Sequence, residues 1–507
     1  MSSTLINVFD WWAVERRDEY AIVTATDKVS YGEFYNWTHA VADWLLTEGL
    51  EKGDRLTILA NNCLEWLVVS QATMLAGGIL APINPKFTVS EVSYLVGERY
   101  QSRFIFHDTD RKALAEGVVE KIGVSRIQAL DFVHTLRGKS GNHSVPRPDV
   151  DADSDVVIIP TSGSTGYPKG VVYTHRTLTA YASDTAVTFP FVPLSPAKVL
   201  IFGPFCTSAG YVVATQYLHY GATVFIESSF DPDRAIDLIQ EHQISSIMGA
   251  PIFLEMMMAS PKFADADLSS IRFCTVGGAR VTRQLLDAWL KKNVLVRQLY
   301  GQTEAGGQAT VSTDASALSD PDKCGRGSVF TQLAVKDEAG NFCAPNTPGE
   351  IVIRGPGMMD RYWRDPEKTA ETLKDGWLHT GDLGMADEAG LITFMDRLKD
   401  IIISGGLNIS AMELERVISE VDGVVEVAVL AAHDNKFGET PLAIVYGNGV
   451  SVEAIVNHCN EHLSAYKVPR YVVLEDAPLP RLATGKIAKP ELRTKYANAH
   501  ETLVKVR

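Results

Sequence analysis

The segment of residues 161–170, Thr-Ser-Gly-Ser-Thr-Gly-Tyr-Pro-Lys-Gly, has the composition of a loop that binds phosphate. Its glycines let backbone N–H groups approach an anion closely, its small hydroxyl side chains add donors, and Lys169 adds a positive charge. The glycine spacing fits neither the Walker loop nor the dinucleotide-binding loop. A flexible Gly/Ser linker is the alternative, and it is less favoured because Pro-Lys-Gly runs directly into another apolar strand.

Two further segments place candidate ligand groups at the ends of apolar strands. Gly277, Gly278 and Ala279 follow one strand, where a flat base or an acyl group can lie against bare backbone. The next strand leads into Tyr300-Gly301-Gln302-Thr303-Glu304, at the carboxyl edge where parallel sheets bind ligands. The Tyr300 ring is suited to stacking on adenine, and the Glu304 carboxylate is suited to holding Mg²⁺ between phosphate oxygens. A plain helix N-terminus would explain the acid but not the residues before it.

Two segments nearer the C-terminus offer a ribose acceptor and a mobile cation. Asp382 follows a glycine turn, and its carboxylate is suited to accepting both hydroxyls of a ribose. His379 has no evident nucleophile partner and is interpreted as structural. Residues 397–406 combine a charged connector, an apolar strand and a Gly-Gly turn, which indicates a hinge. Lys486 follows a glycine in a predicted loop and can reach a carboxylate and a phosphate oxygen together, although a lone loop lysine is usually solvated surface.

Composition and charge limit the class of protein. At 507 residues the chain exceeds one hydrophobic core and predicts several domains. Its formal net charge of −15 disfavours nucleic acid or an anionic membrane as the main partner. The six cysteines form no C-x-x-C pair, so their spacing indicates neither a disulfide framework nor a cysteine zinc site, and the N-terminus has no signal-peptide pattern. These features predict a cytoplasmic protein. Residues 66–83 are uncharged but contain Gly, Pro and polar side chains, and they predict a buried helix followed by a strand rather than a membrane span.

The elements that must position these groups alternate between helices and short apolar strands up to about residue 296. Continuous apolar strands separated by amphipathic segments, such as residues 231–242 and 283–291, indicate an α/β fold with largely parallel sheets covered by helices on both faces. From about residue 325 to 394, short alternating strands predict a small β subdomain, and the remaining chain predicts a compact α+β tail. The predicted strands include residues 56–59, 104–106, 156–159, 199–202, 223–226, 244–248, 273–276, 427–431, 442–446 and 471–474.

In order and spacing these motifs resemble the adenylate-forming superfamily, in particular the AMP-dependent acyl-CoA synthetases, over nearly the whole chain. The resemblance extends to Ser30-Tyr31-Gly32-Glu33, to Ala76-Gly77-Gly78, to residues 349–355 and to Gly485-Lys486. It implies an adenylation domain at residues 1–398, with two helix-covered, mainly parallel sheets and a β subdomain, and a mobile α+β domain at residues 399–507.

The resemblance also implies a two-step reaction with ATP, Mg²⁺ and coenzyme A. A carboxylate attacks the α-phosphate of Mg·ATP to give an acyl-adenylate and pyrophosphate. After the small domain rotates, a thiol displaces AMP and forms a thioester. Coenzyme A and the phosphopantetheine of a carrier protein both stay open as the thiol acceptor. A catalytically silent nucleotide-binding module is disfavoured, because Lys486 and Glu304 have no purpose in a pure binder.

Each residue that matches the family pattern has an implied role. Lys486 would neutralise charge as the carboxylate meets phosphorus, Thr303 would bond the α-phosphate, Glu304 would bind Mg²⁺, and Lys399 fills the hinge position. The implied nucleotide-binding set is Thr161, Ser162, Gly163, Ser164, Thr165, Gly166, Lys169, Gly277, Gly278, Ala279, Tyr300, Gly301, Asp382 and Arg397. The implied coenzyme A set is Gly405, Gly406, Lys467 and Arg470.

The segment around Cys206 departs from the family pattern, because many relatives carry an aromatic residue followed by histidine where this chain has Cys206-Thr207. Amino-acid-activating relatives place an aspartate in this segment, and its absence here favours a neutral acyl chain. The sequence therefore predicts an apolar, adaptable pocket for an aryl, fatty or polycyclic acid, although methionines at helical spacing are more often plain core. The predicted acyl-binding residues are Phe205, Cys206, Thr207, Met248, Gly249, Ala250 and Leu254, with Met257 and Met258 beyond them.

Overall fold

The structure is a computed structural model that describes residues 4–123, 125–139, 145–161, 168–193, 197–279, 281–481 and 486–506. The chain separates into two compact units. Unit 1 comprises Met1–Leu333 and Ile353–His379, and unit 2 comprises Ala334–Val352 and Thr380–Arg507. The domain boundary at residues 398 and 399 stays a prediction.

Helices and strands alternate through most of unit 1, as the hydrophobic pattern predicts. The α-helices are α1 (Leu5–Glu15), α2 (Tyr31–Thr47), α3 (Leu64–Leu75), α4 (Val89–Ser93), α5 (Lys112–Ile122), α6 (His175–Thr188), α7 (Ser208–His219), α8 (Pro232–His242), α9 (Pro251–Ala259), α10 (Arg283–Leu290), α11 (Asp314–Ser319), α12 (Pro366–Thr372), α13 (Ala411–Ile418), α14 (Val452–His462), α15 (Lys489–Lys495) and α16 (Ala499–Thr502). The strands are β1 (Tyr20–Val23), β2 (Lys28–Ser30), β3 (Arg55–Leu59), β4 (Ile79–Leu80), β5 (Ser102–His107), β6 (Arg126–Ala129), β7 (Asp155–Thr161), β8 (Lys169–Thr174), β9 (Lys198–Ile201), β10 (Thr223–Ile226), β11 (Ser246–Gly249), β12 (Phe273–Gly277), β13 (Val296–Leu299), β14 (Gln332–Lys336), β15 (Gly349–Arg354), β16 (Arg361–Tyr362), β17 (Leu373–Lys374), β18 (Trp377–Ala386), β19 (Ile392–Arg397), β20 (Ile402–Ser404), β21 (Leu407–Ile409), β22 (Val424–Asp434), β23 (Gly438–Gly447) and β24 (Tyr471–Glu475). Short 3-10 turns lie at Thr109–Arg111, Leu130–Leu136, Pro261–Ala264, Thr303–Ala305, Leu398–Asp400 and Ala465–Lys467, and a π-helix lies at Tyr94–Tyr100.

The first sheet of unit 1 has the strand order β13-β12-β11-β9-β10-β1-β2. Its neighbouring strands are parallel except for β1 and β2. Leu200, Ile247 and Val276 come from three of these strands and share one buried core with residues of α8, α9 and α10. Helix α8 shows why the covering helices form: Asp231 caps its first turn and Pro232 takes the first helical position, where no N–H is needed.

The second sheet of unit 1 has the order β16-β8-β7-β4-β3-β5-β6, and its strands from β7 to β6 are parallel neighbours. Strands β7 and β8 form an antiparallel hairpin. The uncharged segment at residues 66–83 lies in α3 and β4, which are buried, as predicted. Among the residues that the structure covers, we find no helix that is both long and apolar enough to cross a membrane.

A small antiparallel sheet contains β14, β15, β18, β17 and β19, and the division between the two units falls within β14, β15 and β18. Unit 2 also contains a sheet ordered β21-β20-β23-β22, with β24 parallel to β23. Helices α13 and α14 contribute Leu414 and Ile455 to the core beneath that sheet. The predicted α/β class, with mainly parallel sheets, a β subdomain and an α+β tail, is therefore confirmed. Strand β22 is longer than predicted, because its pairing with β23 extends well beyond the apolar run at residues 427–431.

Candidate active site

The carboxyl ends of four neighbouring strands in the first sheet carry the candidate residues of unit 1. Strand β13 leads into Tyr300, β12 ends at Gly277, β11 ends at Gly249, and β9 leads into residues 202–207. These strands are parallel, and the register pairs Gly277 with Leu299. The sheet therefore gathers four sequence segments at one edge, where α/β folds bind ligands.

Gly277 lies where two strands approach too closely for a side chain. A methyl carbon at this position would be 2.5 Å from the Leu299 carbonyl oxygen and 2.5 Å from the Leu299 Cδ1. Gly278 follows with a φ of +80°, and both Gly278 and Ala279 are exposed. The predicted stretch of accessible bare backbone is therefore present at the end of β12.

Tyr300 and Gly301 form a tight turn next to this backbone. The Tyr300 N–H donates to Thr310 Oγ1 at 2.7 Å, and Tyr300 is only 6% exposed. At Gly301 a methyl carbon would lie 2.0 Å from the Gly307 carbonyl oxygen, so only glycine fits. The Tyr300 ring is largely covered by protein, which leaves little of its face for an adenine in this structure.

Thr303 and Glu304 lie in a 3-10 turn that is held from several sides. The Tyr173 hydroxyl donates to the Thr303 carbonyl oxygen, and Thr303 Oγ1 lies 3.3 Å from Ser208 Oγ. The Tyr362 hydroxyl donates to Glu304 Oε1 at 2.7 Å. Burial raises the pKa of both tyrosines above the usual range, so they stay neutral donors. The Glu304 carboxylate is therefore oriented by a fixed partner.

Strands β7 and β8 bring Thr161 and Lys169 together as a register pair at the end of their hairpin. The Lys169 ammonium lies 5.0 Å from the centroid of the Tyr362 ring, the same ring whose hydroxyl binds Glu304. Burial lowers the pKa of Lys169, repulsion from Lys368 lowers it further, and the Glu304 carboxylate raises it. Tyr362 thus contacts Lys169 through its ring and Glu304 through its hydroxyl. The other predicted loop residues lie outside the described residues: Ser162, Gly163, Ser164, Thr165 and Gly166.

The segment after β9 is a tight turn that Asn62 fixes. The Asn62 side chain donates to the Gly203 carbonyl oxygen at 2.9 Å and accepts from the Phe205 N–H at 2.8 Å. The Phe205 ring packs against Trp66, with 5.0 Å between the ring centroids, and Phe205 is 1% exposed. Burial raises the pKa of Cys206 to about 12, so its thiol is neutral at physiological pH. Phe205 is thus buried in the core, and its role in an acyl pocket stays a prediction.

Gly249, at the end of β11, lies close against two phenyl rings. A methyl carbon on Gly249 would lie 3.1 Å from a ring carbon of Phe253 and 3.5 Å from a ring carbon of Phe202. Met257 is fully buried in the sheet core, which is the plain structural role that its spacing also allowed. The other predicted acyl-binding residues are buried or half-buried: Thr207, Met248, Ala250, Leu254 and Met258.

Unit 2 contains the predicted ribose acceptor and the predicted catalytic lysine. Strands β18 and β19 pair Asp382 with Arg397, and Arg397 Nε lies 3.4 Å from Asp382 Oδ1. Asp382 is buried, and its N–H donates to Thr380 Oγ1 at 3.1 Å. Desolvation lowers the pKa of Lys486, repulsion from Arg397 lowers it further, and Asp382 raises it. Lys486 therefore lies within the electrostatic reach of both predicted ribose-binding residues.

Lys399 lies in the 3-10 turn between β19 and β20. Burial lowers its pKa, and Arg397 adds to the effect. Immediately before this turn, Asp396 is 3% exposed, and its Oδ2 accepts from Ser410 Oγ at 2.7 Å and from the Met412 N–H at 3.0 Å. This carboxylate fastens the start of α13 to the end of β19. The hinge role of Lys399 stays a prediction.

The glycine turn between β20 and β21 has positive φ angles, +60° at Gly405 and +83° at Gly406. The Gly405 N–H donates to the Phe437 carbonyl oxygen at 2.8 Å, and the Arg470 guanidinium lies 4.2 Å over the Phe437 ring. Lys467 instead binds both carboxylate oxygens of a glutamate on α13 at 2.7 Å each. The structure therefore groups Gly405 and Arg470 through Phe437 and gives Lys467 a separate partner.

Three residues that shape the site are not predicted from the sequence: Asn62, Tyr173 and Tyr362. Asn62 offers one usable signal, since a polar residue just beyond an apolar strand marks the carboxyl edge of a sheet. In the sequence the two tyrosines resemble ordinary strand residues. Their hydroxyls contact Thr303 and Glu304 because the fold brings distant parts of the chain together.

The sequence matches the AMP-binding enzyme family over residues 9–363 and the AMP-binding enzyme C-terminal domain over residues 413–486. The chain therefore belongs to the AMP-binding enzyme family, which confirms the predicted membership of the adenylate-forming superfamily. Within it, the chain falls in the class of AMP-forming acyl-CoA synthetases.

The relatives cover nearly the whole chain. A long-chain-fatty-acid–CoA ligase of Mycobacterium tuberculosis is 32% identical over 492 residues, which are 96% of each chain. A feruloyl-CoA synthase of Amycolatopsis sp. is 32% identical over 475 residues, 92% of this chain and 94% of the relative. The solved structure of o-succinylbenzoate coenzyme A synthetase from Bacillus subtilis, in complex with ATP and magnesium ion, superposes with a TM-score of 0.87 at 25% identity and covers 97% of this chain and 100% of that chain.

Proposed function

We propose that this enzyme activates an apolar carboxylic acid with Mg·ATP and transfers the acyl group to the thiol of coenzyme A in the cytoplasm. The observation that carries the proposal is the arrangement of the first sheet of unit 1. Adjacent strand ends present bare backbone at residues 277–279, a fixed carboxylate at Glu304 and uncharged apolar segments after β9 and β11. Groups suited to a nucleotide thus lie beside uncharged segments suited to an acyl chain.

The residues around Glu304 fit a magnesium-bound triphosphate. Glu304 offers a hard carboxylate oxygen, Thr303 a hydroxyl and Lys169 an ammonium group, and Tyr362 joins the carboxylate to the lysine. Mg²⁺ would supply charge neutralisation at the phosphate oxygens. Because Tyr362 orients Glu304 before any ligand arrives, little reorganisation is needed when the triphosphate binds.

In the first half-reaction an oxygen of the substrate carboxylate forms a bond to the α-phosphorus, and the bond from that phosphorus to pyrophosphate breaks. Lys486 supplies the positive charge that lowers the repulsion between the two anions. Its closeness to Asp382 and Arg397 supports this role, because these two residues are the proposed ribose ligands. In the second half-reaction the thiol sulfur attacks the acyl carbon, the thiol proton leaves to solvent, and AMP departs.

The acid is uncharged apart from its carboxylate. No charged side chain occurs in the segments at the ends of β9 and β11, residues 202–209 and 246–254. An ammonium group or a second carboxylate on the substrate would therefore be unpaired there. The phenyl rings of Phe202 and Phe253 in front of Gly249 favour an aryl, fatty or polycyclic acyl group. The names of the two sequence relatives include both a fatty acid and an aromatic acid.

The test measures pyrophosphate release and AMP formation with Mg·ATP over a panel of aliphatic, aryl and polycyclic acids. Each acid is assayed with coenzyme A and, separately, with a phosphopantetheinylated carrier protein. The proposal expects pyrophosphate release with apolar acids and thioester formation with coenzyme A, and it expects Glu304→Gln to lose both. Thioester formation with the carrier protein but not with coenzyme A would make the carrier the acceptor. If none of the acids supports pyrophosphate release by the folded enzyme, the proposal is refuted.

A further inference from the structure

We propose that His458, Glu461 and His462 on α14 form a binding site for one divalent transition-metal ion, with Zn²⁺ as the representative case. The site belongs to unit 2 and shares no residue with the proposed Mg·ATP site. One potential ligand atom from each of the three residues lies within 4.8 Å of the other two. Small side-chain rotations can bring such atoms to metal–ligand distances of about 2 Å.

The spacing along the helix explains why the three side chains meet. Residues three and four positions apart lie on the same face of an α-helix, and His458, Glu461 and His462 have this spacing near the end of α14. The two imidazole rings are stacked, with 4.2 Å between their centroids and an interplanar angle of 28°. Both rings thus lie over the same part of the helix face, from which side-chain rotation can direct their in-plane lone pairs at one ion.

The hydrogen bonds leave nitrogen lone pairs for a metal. His462 Nδ1 lies 2.9 Å from the His458 carbonyl oxygen. A carbonyl oxygen only accepts, so Nδ1 of His462 carries the proton and its Nε2 keeps the lone pair, which is the usual state of a metal-binding histidine.

A second, independent observation comes from His458. Its Nε2 is covered from solvent and has no hydrogen-bond partner, and its nearest opposite charge is Glu420 Oε2 at 3.7 Å. Buried ring nitrogens without a partner are uncommon in folded proteins, because an unmade hydrogen bond costs free energy. A bound cation would satisfy this nitrogen, and the Glu420 carboxylate at the end of α13 would add favourable charge.

The ligand types select the class of metal. Two imidazole nitrogens and one carboxylate oxygen suit Zn²⁺ and its transition-metal neighbours, whereas Mg²⁺ and Ca²⁺ prefer oxygen ligands alone. Because Glu420 follows α13 and His458 lies on α14, attraction between a bound ion and the Glu420 carboxylate would connect the two helices, and binding to the folded state alone would stabilise unit 2. This connection predicts that Zn²⁺ raises the melting temperature.

The experiment uses tag-free, chelator-treated, full-length protein without nucleotide, and it titrates Zn²⁺ in competition with a chromophoric chelator. We expect one ion per chain with a Kd in the micromolar range or below, and an affinity loss of about 100-fold or more in His462→Ala and Glu461→Gln. The matched control is His433→Ala, which removes another exposed histidine of unit 2 whose ring faces His500.

Circular dichroism checks that each variant is folded, and the Glu461→Gln variant keeps the test valid should the histidine variant fail to fold. A rise in melting temperature with Zn²⁺ in the wild type and in His433→Ala, but not in His462→Ala, supports the site. Equal Zn²⁺ affinity in the wild type and His462→Ala, or an affinity no tighter than millimolar in the wild type, would overturn it.

Discussion

Replacing Gly277 by alanine tests whether the close contact between β12 and β13 sets the geometry of the proposed nucleotide site. The φ of Gly277 is not positive, so alanine can adopt its backbone conformation and the perturbation is steric. The new methyl carbon would lie 2.5 Å from the Leu299 carbonyl oxygen, about 0.9 Å short of an ordinary contact of 3.4 Å. Strand β13 must therefore move by nearly that distance, and Tyr300 follows Leu299 directly.

A misplacement of about 1 Å at a reacting geometry costs on the order of 100-fold in rate, which is about 2.7 kcal/mol of transition-state stabilisation. We expect kcat/KM for pyrophosphate release to fall by about this factor in Gly277→Ala. The matched control is Gly117→Ala in α5, where the methyl carbon finds its nearest neighbour at 3.6 Å and the activity should not change. Thermal unfolding of both variants separates lost activity from lost structure. Wild-type kcat/KM in a folded Gly277→Ala variant would refute the reasoning.

Three further changes test the proposed roles. Lys486→Ala should abolish adenylate formation, measured as pyrophosphate release, yet spare thioester formation from supplied acyl-adenylate. The control Lys495→Ala should affect neither half-reaction. Equal loss of both half-reactions in Lys486→Ala would contradict the assigned role. Since the pKa of Lys486 lies below the ordinary value of 10.5, its charge is lost as the pH rises through the lowered value, so adenylation should decline on the alkaline side before pH 10.5, and Lys486→Arg should remove that decline. Tyr362→Phe should raise the KM for Mg·ATP by about tenfold or more, because a hydrogen bond to the charged Glu304 is worth about 1.5–3 kcal/mol. An unchanged KM would show that the bond does not orient the carboxylate. Gly249→Ala should lower kcat/KM about tenfold for the bulkiest acids but not for short ones, and uniform loss over the acid panel would argue against a pocket in front of the phenyl rings.

The sequence predicts the fold well wherever burial is strong on both faces of a sheet. The apolar runs at residues 199–202 and 273–276 lie in β9 and β12 with errors of one residue, because such runs have few alternatives to a buried parallel strand. The tail is predicted less sharply. Strand β22 continues to Asp434, where polar residues stay in the ladder because β23 supplies hydrogen bonds that no local pattern reveals.

The candidate site can be predicted only where the neighbouring sequence indicates a residue's role. Glycine pairs and strand-end acids such as Glu304 stand out in the sequence, and the fold brings them to one sheet edge. The groups that orient them do not stand out, since Tyr362 reaches Glu304 through a pairing between β16 and β8 that has no sequence signature. Exposure is equally hidden, as the nearly buried ring of Tyr300 shows.

The carboxylate of Asp396 has a consequence for the proposed two-step reaction. If the chain turns at Lys399 as predicted, Asp396 lies on one side of the hinge while Ser410 and Met412 lie on the other. Rotation of the C-terminal segment would then break both hydrogen bonds and expose the buried Asp396 carboxylate to water. Asp396 would thus oppose the rotation, and breaking its two hydrogen bonds would be part of the change between the two chemical steps.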